Sequence, residues 1–541
     1  MAAPAAFDRK HTLVIFASSL GTVFEWYDFY IYGTLAVFFG DLFFPKGNGS
    51  AAFLSSLALF GVGFSVRPFG ALIFGRLGDL VGRKHTFLVT IIVMGLSTAL
   101  VGLLPTYRQI GFWAPAILVF LRLAQGLALG GEYGGAATYV AEHAPAGQRG
   151  RYTSWIQTTA TLGLFLSLIV IGGLRLVMAP AQFAAWGWRL PFLASFLLLA
   201  VSVYIRLKLE ESPVFLEMKA QGRASKSPLR DSFCRWENAR LVLCALFGAT
   251  AGQGVVWYAG QFYALYFLTA TLKVDYLHAY ELIAVSLVIG AVLLLGFGRL
   301  SDRIGRKPVI LAGLLLTVLT YRPIFHGLTA AANPALAAAM EQSPVVLHTP
   351  EFRSPAVLAA KAMKDAARKI ILPSVVANDT DRARGFLNAR GIPFSLAPSR
   401  AGETLALTVG GRDVPGFNPA AYEAALAPAG YPKAADPESI HRFEAIALLS
   451  VLLAYVAMVY GPIAAFLVEL FPARIRYTSM SLPYHIGNGW FGGFLPLIAA
   501  SIAVFTGDIY AGLWFPIAIA AMSFVVGIVV LPETKDNDIR A

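Results

Sequence analysis

Long runs of apolar residues, separated by short polar turns, fill most of this 541-residue chain. A helix rises about 1.5 Å per residue, so about 20 apolar residues cross the roughly 30 Å hydrocarbon core of a membrane. Twelve runs are long enough, and they predict an all-α membrane protein of twelve spans. We number these spans 1 to 12; they lie near 13–39, 52–75, 86–104, 113–140, 152–177, 188–207, 241–269, 277–298, 308–328, 443–470, 478–505 and 510–531.

A ten-residue motif occurs twice, each time in a charged turn between two spans. Residues 75–84 read GRLGDLVGRK and residues 298–307 read GRLSDRIGRK, with seven of ten positions identical. A second repeat pairs the segment that begins at Glu142 with the one that begins at Glu469. Such duplication is typical of secondary transporters, whose bundles are built from two related halves.

The second half contains an insertion. The polar, Pro- and Ala-rich residues 329–441 separate spans 9 and 10, and they contain a strand-like alternation at 404–409 and helical patterns at 356–370 and 418–427. We therefore predict a small α+β insert, with an ornamental loop as the alternative. The predicted organisation is an N-terminal six-helix half at 1–207, a central loop at 208–240, and a C-terminal half at 241–328 and 442–541.

Composition excludes several classes of protein. With 57% hydrophobic residues and a mean hydropathy of +0.64, the chain is too apolar to be an ordinary soluble protein. The net charge of +12 is spread over the turns, which argues against nucleic-acid binding. Lys and Arg concentrate in turns on one side, so the positive-inside rule predicts cytoplasmic termini and an insert outside the cytoplasm. Two cysteines and no nucleophile–base pattern argue against a metal, a cofactor or an enzyme.

Carboxylates inside spans are candidates for proton coupling, because an ionisable group at the bilayer centre costs about 2.5–3.5 kcal/mol or more. Glu25 and Asp28 lie on one face of span 1, three residues apart, and Glu132 lies in span 4. A carboxylate that faces a gated cavity can bind a proton on one side and release it on the other. The alternative is permanent pairing with a neighbouring helix.

Two intramembrane arginines predict an anionic or zwitterionic substrate. Arg67 in span 2 and Arg122 in span 4 can each hold a carboxylate through two parallel hydrogen bonds. The alternative is that they only neutralise acidic residues of the bundle. Further candidate substrate contacts are polar or aromatic residues of spans 1 and 7, for which packing is the alternative: Tyr27, Gln253, Trp257, Tyr258 and Gln261.

The glycine run Gly126, Gly130, Gly131, Gly134 and Gly135 in span 4 predicts close helix packing.

The repeated turns predict a gate, because their acidic and basic residues can pair, or face helix termini, in one conformation and separate in another. Glycine permits the tight approach that such a turn needs. The alternative is a solvated turn that only sets the topology. The predicted gate residues are Gly75, Asp79, Gly82 and Arg83 in the first copy, and Asp302, Gly305 and Arg306 in the second.

These turns resemble the signature of the major facilitator superfamily, and other stretches resemble its metabolite:proton symporters of bacterial inner membranes. Those stretches include FEWYDFYIYG at 24–33, RPFG at 67–70, RLAQG at 122–126 and GWRLPF at 187–192. The resemblance implies two six-helix halves around a central cavity, transport driven by protons, and cargo such as proline, betaine, shikimate, α-ketoglutarate or citrate. The insert is absent from most members, and no heptad-bearing tail follows span 12, so we favour an organic acid.

The predicted function is a proton-coupled symporter that imports a small organic acid or zwitterion by alternating access, with no cofactor and no obligatory protein partner. Residue identity does not set the direction of net flux, so a uniporter or exporter of the same fold stays open. A membrane sensor that uses the insert to bind a ligand is the alternative from another class.

Overall fold

The computed structural model describes residues 9–44, 49–80, 83–131, 133–145, 147–207, 227–350, 378–399 and 405–539. Ten of the helices in these ranges are long and apolar enough to cross a membrane. The shorter apolar helix Leu88–Leu103 matches span 3, and Arg9–Thr34 matches span 1. The prediction of an all-α membrane protein is confirmed.

The spans begin and end close to their predicted positions. They are Arg9–Thr34 (span 1), Gly49–Ser65 with Arg67–Leu80 (span 2), Arg83–Leu103 (span 3), Trp113–Gly130 with Tyr133–His143 (span 4), Arg149–Val177 (span 5), Leu190–Leu207 (span 6), Trp236–Thr271 (span 7), Tyr276–Ile304 (span 8), Arg306–Ala332 (span 9), Arg442–Tyr460 with Ile463–Leu470 (span 10), Arg476–Ile486 with Leu495–Thr506 (span 11) and Trp514–Val530 (span 12). Short helices at Ala36–Phe43, Tyr107–Ile110, Pro180–Ala185 and Pro228–Phe233 connect them.

Several spans depart from regular α-helix. Span 2 breaks just before Arg67, where Pro68 lacks the N–H group that a continuous helix needs, and span 10 breaks at Gly461 and Pro462. Span 7 contains three π-helical turns and span 11 contains one; π-turns are rare and often lie at functional sites. These turns are Leu246–Thr250, Ala259–Tyr263, Phe267–Thr271 and Gly487–Gly492.

Spans 2 and 4 pack with their backbones in contact. A Cβ atom on Gly126 would lie 1.6 Å from the carbonyl oxygen of Gly63, and one on Gly130 would lie 2.2 Å from the carbonyl oxygen of Arg67. Only glycine fits at these positions. The close packing predicted from the glycines of span 4 is therefore confirmed, and it fixes the backbone that carries Arg67.

The two halves meet along spans 5 and 8 and along spans 2 and 11. Span 5 approaches span 8 closely, because a Cβ atom on Gly298 would lie 2.7 Å from the carbonyl oxygen of Gly150. This approach lies at the end of the bundle that carries the second repeated turn, which we call the repeat-turn end. The opposite end, which carries the insert, is called the insert end.

The insert forms a four-stranded sheet with flanking helices. Strands β1 (Val345–Thr349), β2 (Ser395–Pro398), β3 (Ala406–Val409) and β4 (Arg412–Pro415) lie in the order β2-β1-β3-β4, in which only β1 and β2 are parallel. The predicted strand and the helix after Asn418 are confirmed, whereas the helical pattern at 356–370 lies outside the described residues. The insert helices are Pro334–Gln342, Asp379–Ala389 and Pro419–Leu426.

Backbone and side-chain hydrogen bonds fix the insert to the bundle. Phe394 N–H donates to the carbonyl of Gly507 at 3.0 Å, and the Asn388 amide donates to the carbonyl of Val504 at 2.9 Å. A hydrogen bond also connects the two ends of the insert: His441 N–H donates to the carbonyl of Ala331 at 2.8 Å. Helix Asp379–Ala389 packs against the first segment of span 2, so the insert contacts both halves.

Replacing Gly126 by Ala should destabilise the protein by about 1–3 kcal/mol, because the added methyl group overlaps the Gly63 carbonyl. Thermal unfolding of the detergent-solubilised protein measures the loss. Gly173→Ala is the matched control, because a Cβ atom at Gly173 in span 5 meets nothing within 4 Å. Equal melting temperatures for the two variants would contradict the tight contact between spans 2 and 4.

Candidate functional site

Arg67 is fully buried at the break in span 2, and aromatic rings surround its side chain. Its guanidinium carbon lies 4.9 Å from the ring centre of Phe64, 5.3 Å from that of Trp26 and 5.5 Å from that of Phe29. Among the described residues, none of its three guanidinium nitrogens has a hydrogen-bond partner of normal geometry, although the Tyr258 hydroxyl lies close to the guanidinium. Aromatic faces offset part of the cost of burying a cation, but they leave its N–H donors unsatisfied.

Arg122 also packs against the ring of Phe29. Its guanidinium carbon is 4.4 Å from the ring centres of Phe29 and Tyr32, and its Nη1 donates to Gln125 Oε1 at 2.6 Å. Its Nε and Nη2 atoms have no partner in the part of the chain that is described. The structure therefore brings together the two arginines that the sequence singled out, at one aromatic centre.

Span 7 closes this centre from the second half. Tyr30 stacks between Trp26 and Trp257, with ring centres 5.1 Å and 5.5 Å apart, and Tyr258 meets Phe64 edge-on at 5.1 Å. Two of the predicted contact residues, Trp257 and Tyr258, thus lie in the aromatic wall around Arg67. We call the wall formed by Trp26, Phe29, Tyr30, Phe64, Trp257 and Tyr258 the aromatic cage.

A second layer of polar aromatic side chains links the halves and was not predicted from the sequence. Tyr133 and Tyr484 stack in parallel with ring centres 3.4 Å apart, and the hydroxyls of Tyr460 and Tyr484 lie 3.0 Å apart. The Gln157 amide donates to the Tyr133 hydroxyl at 3.0 Å. The ring of Tyr460 meets that of Trp257 edge-on, with ring centres 6.3 Å apart, so this layer adjoins the cage. The sequence feature that could have indicated this layer is a side chain with a hydroxyl or amide group within an apolar span.

The two predicted glutamines of span 7 have different surroundings. Gln253 exchanges two hydrogen bonds with Asn488 of span 11, at 3.0 Å and 2.9 Å, so its amide already has partners. Gln261 is fully buried in the second π-turn, and neither of its amide atoms is hydrogen-bonded within the described residues. Gln261 is therefore the span 7 amide that remains available to a bound molecule.

Tyr27 and Asp28 do not contact the arginines. The Tyr27 hydroxyl donates to the carbonyl of Pro191 at 2.9 Å, and Asp28 accepts a hydrogen bond of 2.5 Å from Ser195, so both side chains face span 6. Glu25 is buried, with 4% of its surface exposed, whereas Glu132 lies outside the described residues. Span 1 therefore directs Phe29 and Tyr30 to the centre and Asp28 away from it.

At the repeat-turn end, buried charges join the two halves. Arg306 binds Glu469 through two hydrogen bonds of 3.1 Å and 3.0 Å and pairs with Asp302 at 2.7 Å. Asp302 also accepts hydrogen bonds of 2.8 Å from the backbone N–H groups of Gly150 and Arg151. These donors form the N-terminus of span 5, where a carboxylate is stabilised by the helix dipole.

The segment after span 12 covers this charge cluster. Glu533 accepts hydrogen bonds from two backbone N–H groups at the start of span 9, and Thr534 donates to Glu469 at 3.0 Å. The carbonyl of Asn537 accepts from Arg149 at 3.0 Å. Residues 533–539 therefore form a strap that contacts both halves. Gly305 has φ +106°, and a Cβ atom there would come within 2.4 Å of Glu533.

The first copy of the repeated turn is only partly described. A Cβ atom on Gly75 would lie 3.4 Å from the ring of Tyr477, so span 2 meets span 11 there. The side chains of Asp79 and Arg83, and all of Gly82, lie outside the described residues. Two ion pairs connect the halves at this end, Arg149 with Glu469 at 3.5 Å and Arg476 with Glu142 at 3.2 Å. The two halves are thus in contact at the repeat-turn end.

Comparison with known proteins defines the family. Residues 13–238 match the family model "Sugar (and other) transporter". The inner membrane metabolite transport protein YhjE of Escherichia coli is 38% identical over 328 residues, which cover 60% of this chain and 74% of that protein. The shikimate transporter of the same organism is 37% identical over 60% of this chain and 73% of that protein.

Solved structures agree in fold. The proton:xylose symporter XylE, a major facilitator superfamily protein, superposes with a TM-score of 0.59 at 15% identity, over 97% of each chain.

A putative proline/betaine transporter of Staphylococcus haemolyticus is 28% identical over 97% of this chain and 89% of that protein. The chain belongs to the major facilitator superfamily. The predicted family resemblance is confirmed, and the protein is a membrane transporter and not an enzyme.

The described cavity of this transporter does not lie at the arginines. A space of about 550 Å³ lies at the insert end, between the insert and the outer parts of spans 7 and 11. The Tyr266 hydroxyl donates to the carbonyl of Gly33 at 2.7 Å, and Tyr280 donates to that of Thr34 at 3.2 Å. The halves therefore also touch at this end, and the aromatic cage is enclosed from both sides.

Metal ligands do not cluster in this transporter. Within the ranges that the structure describes, no group of three or more His, Cys, Asp or Glu side chains is placed to hold a metal ion.

Replacing Glu469 by Gln should destabilise the transporter by about 1.5–3 kcal/mol, because buried Arg306 loses one of its two carboxylate partners and Arg149 loses its ion pair across the halves. Thermal unfolding measures the effect. Glu281→Gln is the matched control: its pair with Arg442 is half-exposed, so its loss should cost less than about 1 kcal/mol. If both variants melt alike, the cluster at the repeat-turn end does not hold the halves together.

Proposed function

We propose that this transporter is a proton-coupled symporter that imports a small organic acid or zwitterionic metabolite by alternating access. The bacterial inner membrane is its proposed site, with both termini in the cytoplasm. The insert end then faces outwards and the repeat-turn end faces the cytoplasm. The enclosed aromatic cage corresponds to the state in which substrate is shielded from both sides.

The guanidinium of Arg67, which has no ion-pair partner among the described residues, carries this proposal. A buried cation without a counter-ion is costly, and a carboxylate would satisfy up to two of its donors at once. Arg67 belongs to span 2 of the N-terminal half. The cage around it includes Trp257 and Tyr258 of span 7, which belongs to the C-terminal half. A bound anion would therefore interact with both halves, as alternating access requires.

Glu25 and Asp28 are the proposed proton carriers in the described part of the chain, and Glu132 is a third candidate. Asp28 is buried and accepts its hydrogen bond from Ser195, so its protonation would change the contact between spans 1 and 6. Span 1 also carries Phe29 and Tyr30, which line the cage. Protonation would then be coupled to substrate binding through a shift of span 1, without direct contact between a carboxylate and Arg67.

The proposed gate consists of Gly75, Asp79, Gly82 and Arg83 with Asp302, Gly305 and Arg306. Its support is the contact of Asp302 with the N-terminus of span 5, which has to break for the repeat-turn end to open.

Arg67→Gln should lower substrate uptake into proteoliposomes by about 10- to 100-fold, because hydrogen bonds to a charged group contribute about 1.5–3 kcal/mol. The substrates to be tested are those of the relatives: shikimate, α-ketoglutarate, proline and glycine betaine. Arg67→Lys is the matched variant, because it keeps the charge but lacks the planar fork.

Arg108→Gln is the control, because Arg108 is exposed on the short helix Tyr107–Ile110 and its replacement should leave uptake unchanged. Uptake by Arg67→Gln at the control rate would contradict an anion site at Arg67.

The double variant Glu25→Gln and Asp28→Asn should abolish accumulation driven by an imposed pH gradient, because neither side chain can then release a proton. Exchange of substrate across the membrane should persist in part, since it needs no net proton movement. Both are measured with radiolabelled substrate in proteoliposomes. Undiminished accumulation removes these carboxylates from the coupling, and pH-independent uptake by the unmodified protein indicates a uniporter.

A further inference from the structure

The cavity at the insert end is built from three parts of the chain. Its floor is the outer part of span 7, including Tyr263, Tyr266 and Phe267; one side is the insert, and another is span 11. A volume of about 550 Å³ lies within the range of about 300–1,000 Å³ that is typical of small-molecule sites. Its wall combines aromatic rings with the hydroxyl groups of Thr269 and Thr271.

Lys273 projects from the turn between spans 7 and 8 into the wall of this cavity. Its φ of +57° makes it the single non-glycine residue with a left-handed backbone among those described. Such a conformation is unfavourable for lysine and persists only where the surroundings impose it. The insert supplies those surroundings, because Ala435 N–H donates to the Lys273 carbonyl at 3.1 Å and Gly391 packs against the turn.

The Lys273 ammonium has no counter-ion in the part of the chain that the structure describes. No ion pair or hydrogen bond joins its Nζ to any residue in the described ranges, and burial lowers its pKa to about 8. The other charged residues of the wall already have partners. Lys433 pairs with Glu423 at 3.0 Å, and Asp275 accepts a hydrogen bond of 2.9 Å from the backbone N–H of Leu277.

We propose that this cavity is a second binding site, for a small carboxylate with an apolar body, in which the ammonium of Lys273 holds the carboxylate. The charge, the hydroxyl groups and the aromatic floor match the two parts of such a molecule. This site goes beyond the proposed function, because it lies apart from Arg67. The residues that line the cavity include neither Arg67 nor Arg122, and none of them belongs to the aromatic cage.

Chemical labelling of the full-length protein tests the site with benzoate and benzamide, which share a shape but differ in charge. At about pH 8, a lysine with a lowered pKa reacts with trinitrobenzenesulfonate much faster than ordinary lysines of pKa about 10.4. Peptide mass spectrometry reads the labelling rate at Lys273, with Lys535 at the repeat-turn end as the internal reference.

Benzoate at about 10 mM should slow labelling of Lys273 about tenfold if its Kd is about 1 mM. Benzamide should leave this rate unchanged, and neither compound should change the rate at Lys535. Equal effects of the two compounds, no effect of either, or labelling of Lys273 no faster than that of Lys535 would each overturn the proposal.

Two variants separate this site from the proposed transport site. Lys273→Met should lose the saturation-transfer NMR signal of bound benzoate, whereas Lys535→Met, at the repeat-turn end, should keep it. Arg67→Gln should keep protection of Lys273 even though its uptake is lost. Loss of protection in Arg67→Gln would show that benzoate occupies the central site, and would refute a separate site at Lys273. Normal uptake by Arg67→Gln with protected Lys273 would refute only the proposed role of Arg67.

Discussion

A buried arginine that has no counter-ion among the described residues is the constraint on which the centre of this transporter depends. An uncompensated charge in a protein interior costs several kcal/mol, and aromatic faces return only part of it. Arg67 can persist there because its backbone is held from two directions. Pro68 breaks span 2 at this residue, and Gly130 of span 4 lies against its carbonyl group. The surrounding bundle thus maintains an unsatisfied group where an anion would complete it.

The same residue type has the opposite environment at the repeat-turn end. Arg306 is as deeply buried as Arg67, yet Glu469 and Asp302 satisfy its guanidinium and connect it with span 5. Burial alone therefore does not distinguish a structural arginine from one that awaits a ligand. The partners do: carboxylates satisfy Arg306 at the repeat-turn end, whereas no described residue accepts a hydrogen bond of normal geometry from Arg67 at the centre.

Sequence periodicity predicted the spans and the insert because both depend on local patterns. The strand at 406–409 and the helix after Asn418 follow from alternation and capping. Helical spacing also placed Glu25 and Asp28 on one face, but it does not reveal which neighbour that face meets. Asp28 meets Ser195, 167 positions away. Pairing of Gln253 with Asn488 and stacking of Tyr133 on Tyr484 depend equally on tertiary contacts.

The hydrogen bond between His441 and Ala331 has a consequence for how the insert relates to the bundle. The insert begins at the end of span 9 and ends at the start of span 10, and these two points are adjacent. The two ends of the insert are therefore as close together as the ends of a tight hairpin. Spans 9 and 10 need no particular length of polypeptide between them. A folded module of any size whose termini lie side by side is compatible with this junction, which makes it a natural place for grafting a new domain onto the scaffold.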